Sequence, residues 1–143
     1  MSISDSYRET IRITLARRAG EVPDASTVAA ATLNIWQLVD AKLVPVIGTT
    51  GVEVLFIRSL HLTSAAFPWL AIAETQRESA ALLTSVKTRL AEHETHTATE
   101  AAYTLLVTFT ELLSTMIGES LTERLLSPVW VPSSRVSKKE SVS

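Results

Sequence analysis

The sequence predicts an all-α fold, built as a single antiparallel bundle of about five helices. Apolar residues recur at spacings of three and four along nearly the whole chain, and no segment alternates convincingly between polar and apolar side chains. A length of 143 residues is typical of one domain with one hydrophobic core. We therefore expect a helical bundle domain over residues 1–132 and a disordered polar tail over residues 133–143.

The first predicted helix carries Tyr7, Ile11 and Leu15 on one side and ends near Gly20. A turn at "EVPD" follows, and either Asp24 or a nearby serine can cap the second helix.

The second predicted helix is capped by Asp24 or Ser26 and runs toward the proline at position 45. Proline disfavours helical geometry in the residue before it, which is Val44 here. The sequence therefore predicts that this helix kinks or ends near Pro45.

The stretch "IGTTG" at 47–51 predicts a tight turn before a third helix, which extends to about Ala66. A phosphate-binding loop would need a preceding strand and a nearby lysine, and the sequence has neither at this point. The stretch "IGTTGVE" at 47–53 also resembles "IGESLTE" at 117–123. We interpret both as glycine turns that separate helices.

The fourth predicted helix has Pro68 in its first turn, and the last long helix begins at a Thr97-x-x-Glu100 cap. The last helix either runs through Gly118 or breaks there. The inward stripe predicted for the fourth helix is Trp69, Ile72, Gln76, Ala80, Leu83, Val86 and Leu90.

The amino-acid composition argues against several classes of function. The net charge of −2 gives no general attraction to nucleic acids or anionic lipid, and the chain has no cysteine. The start, "MSISDSYRETIR", lacks the apolar core of a signal peptide. The longest uncharged runs, around 25–39 and 59–73, are shorter than the roughly 18–20 apolar residues of a membrane span. We expect a cytoplasmic protein that binds neither membrane nor nucleic acid.

The sequence also offers no catalytic constellation. It contains no Gly-x-Ser-x-Gly nucleophile elbow, no cofactor-binding loop and no plausible catalytic triad. In "EHETH", His93 and His96 are three residues apart, whereas a zinc protease helix spaces its histidines by four. The sequence therefore assigns no catalytic residue, metal or cofactor and favours a chain that is not an enzyme.

The candidate surface residues are Glu53, Arg58 and His61, which share one broad arc of the third helix. Near the edge of a core, Arg58 and His61 each need a partner, and Glu111 or Glu119 on the last helix could provide one. One interpretation is a structural ion pair. The other is a groove for a partner or a small ligand.

Several helices are apolar on more than one side, including those with Trp36, Phe56 and Trp69. Because a small domain cannot easily bury so many broad faces, the sequence predicts a homodimer or a partner protein. The leading hypothesis is a non-enzymatic helical interaction or regulatory module, for example in signalling. The hypothesis ranked third is a small-ligand sensor with a pocket at these aromatic residues.

The hypothesis ranked second is histidine phosphotransfer through His61. Such domains are helical bundles that present a histidine to solvent, so an exposed His61 would favour this mechanism. A buried His61 bonded to a carboxylate would exclude it. The lysine and glycine that commonly follow such a histidine are absent, since Thr63 and Ser64 occupy the positions after Leu62.

Overall fold

The computed structural model describes residues 5–20, 22–70 and 79–130, and within these ranges the chain is an all-α helical bundle. A 3-10 helix, Pro68–Leu70, follows the second α-helix. The five α-helices are α1 (Asp5–Ala19), α2 (Ala25–Thr63), α3 (Ser79–Ala91), α4 (Thr95–Ile117) and α5 (Glu119–Trp130).

The long helix α2 turns back on itself at Gly48. This glycine has φ 83° and ψ 161°, which is not helical. The ring centroids of Trp36 and Phe56 are only 4.7 Å apart, whereas residues 20 positions apart in a straight helix would be separated by about 30 Å. The N-terminal arm (25–47) and the C-terminal arm (49–63) therefore pack against each other as a helical hairpin, which confirms the turn predicted at "IGTTG".

Pro45 does not end the N-terminal arm, so the boundary predicted there was wrong by about one turn. The helix continues through Pro45 and reaches Gly48. Proline removes the donor to the carbonyl of Ala41, but both residues are exposed, so water can satisfy that carbonyl. The chain reverses at Gly48, whose positive φ is a conformation that favours glycine.

The question left open at Gly118 is answered by a break between α4 and α5. Gly118 has φ 95° and ψ 150°, close to the values at Gly48. The two similar stretches, 47–53 and 117–123, therefore have nearly the same backbone conformation at their glycine. At the second turn, the backbone N–H and the hydroxyl of Thr122 both donate to the carbonyl of Gly118.

The hairpin of α2 is apolar enough to resemble a membrane span by length and composition alone. An 18-residue window in α2 has a mean hydropathy of 1.5, and 33% of that window is buried. The reversal at Gly48 means that α2 is not one straight rod. Its apolar character is that of a helix pair that supplies a bundle core and leaves part of its surface uncovered.

The centre of the core is an aromatic cluster that joins three helical segments. The ring of Trp36 makes edge contacts with Phe56 on the other arm of α2 and with Phe109 on α4, at centroid distances of 4.7 and 4.8 Å. The large, fully buried aliphatic side chains of the core include Ile11, Ile35, Leu43, Leu70, Leu90, Leu105, Leu106, Leu113 and Leu126.

Two arginines of α1 form ion pairs with carboxylates of α4. Arg8 donates to Glu111 at 2.7 Å, and Arg12 donates to Glu100 at 2.8 Å. The guanidinium of Arg12 also lies 3.9 Å from the ring centroid of Tyr103. The hydrogen bond from Arg12 lowers the pKa of Glu100 and raises that of Arg12. These contacts set α1 antiparallel to α4.

The end of α5 is attached to α1 by buried hydrogen bonds. The indole N–H of Trp130 donates to the hydroxyl of Tyr7 at 2.7 Å, and the hydroxyl of Thr14 donates to the carbonyl of Trp130 at 2.7 Å. Burial raises the pKa of Tyr7 to about 12. The last described residue is therefore held firmly against the first helix.

Other helix boundaries differ from the predictions. The last long helix begins at Thr95, two residues before the predicted cap at Thr97, and its N-cap residue Glu94 makes no side-chain cap hydrogen bond. Glu100, predicted to close a capping box, accepts a hydrogen bond from Arg12. Pro68 opens a 3-10 turn, and α3 is described only from Ser79. The predicted stripe positions Ile72 and Gln76 lie outside the described residues, as do the predicted tail and the end of the predicted domain.

Candidate partner surface

The C-terminal arm of α2 exposes a continuous mixed surface, which we call the outer face of α2. It consists of Val54, Ile57, Arg58, His61 and Leu62, spaced by three and four residues so that they share one side of the helix. Val54 is 58% exposed and Leu62 is 42% exposed. Arg58 and His61 are also exposed, and Ile57 is half-buried.

The opposite side of the same arm faces the bundle and explains why this arm holds its position. Its buried residues are Val52, Leu55, Phe56, Ser59, Leu60 and Thr63. The arm is thus apolar on its inner side and partly apolar on its outer side. Fully apolar helices are usually covered on all sides, so the outer face is suited to contact with another protein.

Glu53 lies at one edge of the outer face and is half-buried. It approaches Asp40 of the N-terminal arm, where burial and then the charge of Glu53 raise the pKa of Asp40. The two carboxylates therefore lie within electrostatic range of each other across the hairpin.

The structure does not give Arg58 and His61 the carboxylate partners that were expected. Glu111 bonds Arg8 on α1 and is therefore already paired. Glu119 is exposed at the first position of α5, and no ion pair within the described ranges joins it to Arg58 or His61. Glu53, Arg58 and His61 therefore belong to one surface of α2, and Glu119 is not shown to be part of it.

The three aromatic residues predicted to line a pocket are placed in two different surroundings. Trp36 and Phe56 are buried in contact with each other, and Phe109 packs on the same indole. Trp69 is half-buried, and it contacts Phe67 and stacks on His93 with ring centroids 3.8 Å apart. The prediction of a ligand pocket among these residues gains no support from this packing.

A cleft of about 360 Å³ lies elsewhere, where the end of α1 meets the start of α2. Arg18 crosses it and donates to the side chain of Asn34 at 2.6 Å. The remaining lining residues are Ala19, Thr27, Ala30 and Ala31, whose small side chains leave the cleft shallow. Its polar groups are already hydrogen-bonded, since Arg18 bonds Asn34 and the hydroxyl of Thr27 donates to the carbonyl of Asp24.

The histidines of "EHETH" have separate roles in the fold. His93 is half-buried and stacks on Trp69. His96 is exposed near Glu100 and contributes to lowering the pKa of that carboxylate, after the larger effect of Arg12. Over the described part of the chain, no three His, Cys, Asp or Glu side chains form a group that could hold a metal ion.

Sequence reasoning missed the two apolar residues that define the outer face. Neither Val54 nor Leu62 was among the predicted surface residues. The available signal was their spacing, since Val54, Arg58 and Leu62 follow one another at intervals of four residues. That spacing places one charged residue between two apolar residues on a single side of the helix.

Comparison with known proteins adds no relative. No protein-family model, curated protein or solved structure matches the chain. The class defined by the fold is an all-α helical bundle, and the function has to be argued from the geometry of its surfaces.

Proposed function

We propose that this chain is a non-enzymatic helical interaction module that binds protein through the outer face of α2. The observation that carries the proposal is the exposure of Val54 and Leu62 on either side of Arg58, in a helix whose other side forms the core. Exposed aliphatic side chains gain free energy when a partner covers them. Arginine is also enriched at the centres of protein interfaces.

The composition of the outer face supports a protein partner better than it supports a small ligand. Its apolar and charged side chains project from one side of a helix, and the cleft found among the described residues lies elsewhere, between α1 and the start of α2. Small-molecule sites are usually concave and bury most of the ligand surface. A protein or helix laid along α2 could cover Val54, Ile57 and Leu62 and pair with Arg58 at the same time.

The test is capture of a partner from the lysate of the native host by wild-type protein and by the Arg58→Ala/His61→Ala double variant. Both changed residues are exposed, so the variant is expected to fold, which circular dichroism would check. We expect the double variant to retain about tenfold less partner than wild-type protein, because interface arginines often contribute strongly to binding.

The matched control is Gln37→Ala/Lys42→Ala, which changes two exposed polar residues on the N-terminal arm of the same helix. This control should retain the partner as wild type does. If all three proteins retained the same amount of partner, the outer face of α2 would not be the binding site. Failure of wild type to retain any protein would contradict the proposal as a whole.

Histidine phosphotransfer through His61 is the second candidate, and the exposure of His61 is the observation that favours it. The imidazole projects from the same surface, where a phosphodonor protein could approach. No lysine follows His61 within the next turn to balance a phosphoryl charge, because Leu62, Thr63 and Ser64 come next. The mechanism therefore ranks below the interaction module.

Acetyl phosphate provides a direct test of phosphotransfer. If His61 accepts a phosphoryl group, wild-type protein should gain one acid-labile phosphate by mass spectrometry, and His61→Gln should not. His96→Gln is the matched control, since His96 is also exposed. Equal labelling of wild type and His61→Gln, or no labelling of either protein, would reject this mechanism.

A further inference from the structure

We propose that the cleft where α1 ends and α2 begins binds a small monocarboxylate with a short aliphatic chain, and that Arg18 holds the carboxylate. The cleft uses none of the residues of the outer face of α2, so this inference does not depend on the proposed function. Its volume is about 360 Å³, within the range of roughly 300–1,000 Å³ that is usual for ligand sites. Three features of its lining support the assignment.

The first feature is a cation whose charge no carboxylate balances within the cleft. Arg8 and Arg12 of the same helix each donate to a glutamate of α4. Arg18 instead donates to the neutral side chain of Asn34. None of the described residues that line the cleft is acidic. A negatively charged ligand would therefore gain an attraction that no lining side chain already provides.

The second feature is that this arginine is held in place and still has donors to offer. A guanidinium can only donate, so its 2.6 Å bond to Asn34 turns the amide oxygen toward Arg18. Within the described ranges neither side chain makes another hydrogen bond. The remaining N–H donors of the guanidinium form a planar fork that matches the two oxygens of a carboxylate. The pair can therefore bind an anion at little further cost in side-chain entropy.

The third feature is the apolar wall beside the two polar side chains. Ala19 and Ala31 are buried and Ala30 is exposed, so methyl groups form most of the remaining lining. A ligand with a short aliphatic chain next to its carboxylate could cover these methyl groups. Burial of apolar surface favours binding, and an inorganic anion would not gain from it.

The charge of the ligand is limited by Asp24. Its carboxylate accepts a hydrogen bond at 2.8 Å from the backbone N–H of Thr27, which itself lines the cleft. A carboxylate at this position repels a dianion more strongly than a monoanion. We therefore assign a singly charged carboxylate to the cleft and not a phosphate or a dicarboxylate.

The openness of the cleft sets the affinity. Arg18 and Asn34 are both exposed, and ion pairs at exposed positions are weak and screened by salt. We therefore expect a Kd of about 1 mM for a ligand of this size, which should rise with added salt.

Titration of the nitrogen-15-labelled full chain with sodium valerate tests the site by NMR. Valerate combines one carboxylate with an unbranched aliphatic chain. We expect the side-chain amide of Asn34 and the backbone amides of Ala30 and Ala31 to shift. Valeramide has the same shape without the charge and should bind at least about tenfold more weakly. Acetate, which lacks the longer chain, should also bind more weakly than valerate.

Two variants assign the carboxylate to Arg18. Arg18→Gln removes the cation and should weaken valerate binding at least about tenfold. Asn34→Asp should weaken binding to a similar extent, because the new carboxylate would pair with Arg18 in place of the ligand. Both positions are exposed, so both variants should fold, which circular dichroism would check.

The matched control is Arg17→Gln, which removes the same charge from the adjacent residue, and Arg17 does not line the cleft. Its Kd for valerate should stay within about twofold of the wild-type value, because a charge that does not touch the ligand acts only through screened attraction. Loss of binding in the Arg18 and Asn34 variants, with the control unaffected, supports the inference.

Several results would overturn it. One is the absence of any shift in the cleft signals as valerate is added. Others are equal binding of valeramide or inorganic phosphate, or an equal loss in the Arg17 variant. Acetate that bound as tightly as valerate would overturn the assignment of an aliphatic chain.

Discussion

Trp36→Ala is expected to lower the free energy of unfolding by about 3–5 kcal/mol, the usual range for removal of a large buried aromatic side chain. The indole of Trp36 is buried and makes edge contacts with Phe56 and Phe109. Its loss would leave a cavity where the two arms of α2 meet α4. Urea unfolding followed by far-UV circular dichroism would measure the change.

Trp36→Phe is the matched control, and it should cost much less than Trp36→Ala. The indole N–H of Trp36 is buried and has no hydrogen-bond partner among the described residues. Phenylalanine removes that unsatisfied donor and keeps an aromatic ring in the cluster. A loss of about 1 kcal/mol is therefore expected. If both variants lost the same stability, the ring contacts would not be what stabilises this part of the core.

Gly48→Ala is expected to lower the free energy of unfolding by about 1–3 kcal/mol, although the new methyl group would meet no atom within 4 Å. The cost arises from the backbone. Gly48 has φ 83° and ψ 161°, a region that residues with a Cβ atom rarely adopt. Since this residue reverses the chain between the two arms of α2, strain there acts against the hairpin itself.

Gly51→Ala is the internal control, because Gly51 lies three residues away and has no positive φ. Alanine is favoured over glycine inside a helix by roughly 0.5–1 kcal/mol. The new Cβ would approach the side chain of Ile47 at 3.3 Å, which reduces the gain. We expect a change between zero and this gain. A similar loss at both glycines would show that Gly48 is not specifically required for the reversal.

The fold was largely predictable because its signals are local. Asp24 accepts a hydrogen bond from the backbone N–H of Thr27 and caps α2. Asp24 was one of the two residues predicted as this cap. Gly20, Gly48 and Gly118 all have positive φ and mark chain reversals or helix ends. The helix end was wrongly predicted at Pro45 because the sequence does not show that this proline lies on an exposed side of the helix. There, water can bond the backbone carbonyl that loses its N–H donor, so the helix continues.

The candidate site was less predictable because its contacts join distant parts of the chain. The sequence could not show that Glu111 bonds Arg8, which lies 103 positions away. It therefore offered Glu111 equally to Arg58 and His61. Which carboxylate reaches which cation depends on how α1 packs against α4, and helix periodicity carries no information about that packing.

The sequence by itself determined the all-α class and the glycine turns, because hydrophobic period and backbone freedom act over a few neighbouring residues. The tertiary structure decided which side of the C-terminal arm of α2 is left uncovered. That arm carries apolar residues nearly all round, so a helical wheel cannot separate the side that faces the bundle from the side with Val54 and Leu62. Only the packing of the other arm and of α4 around Phe56 makes that choice.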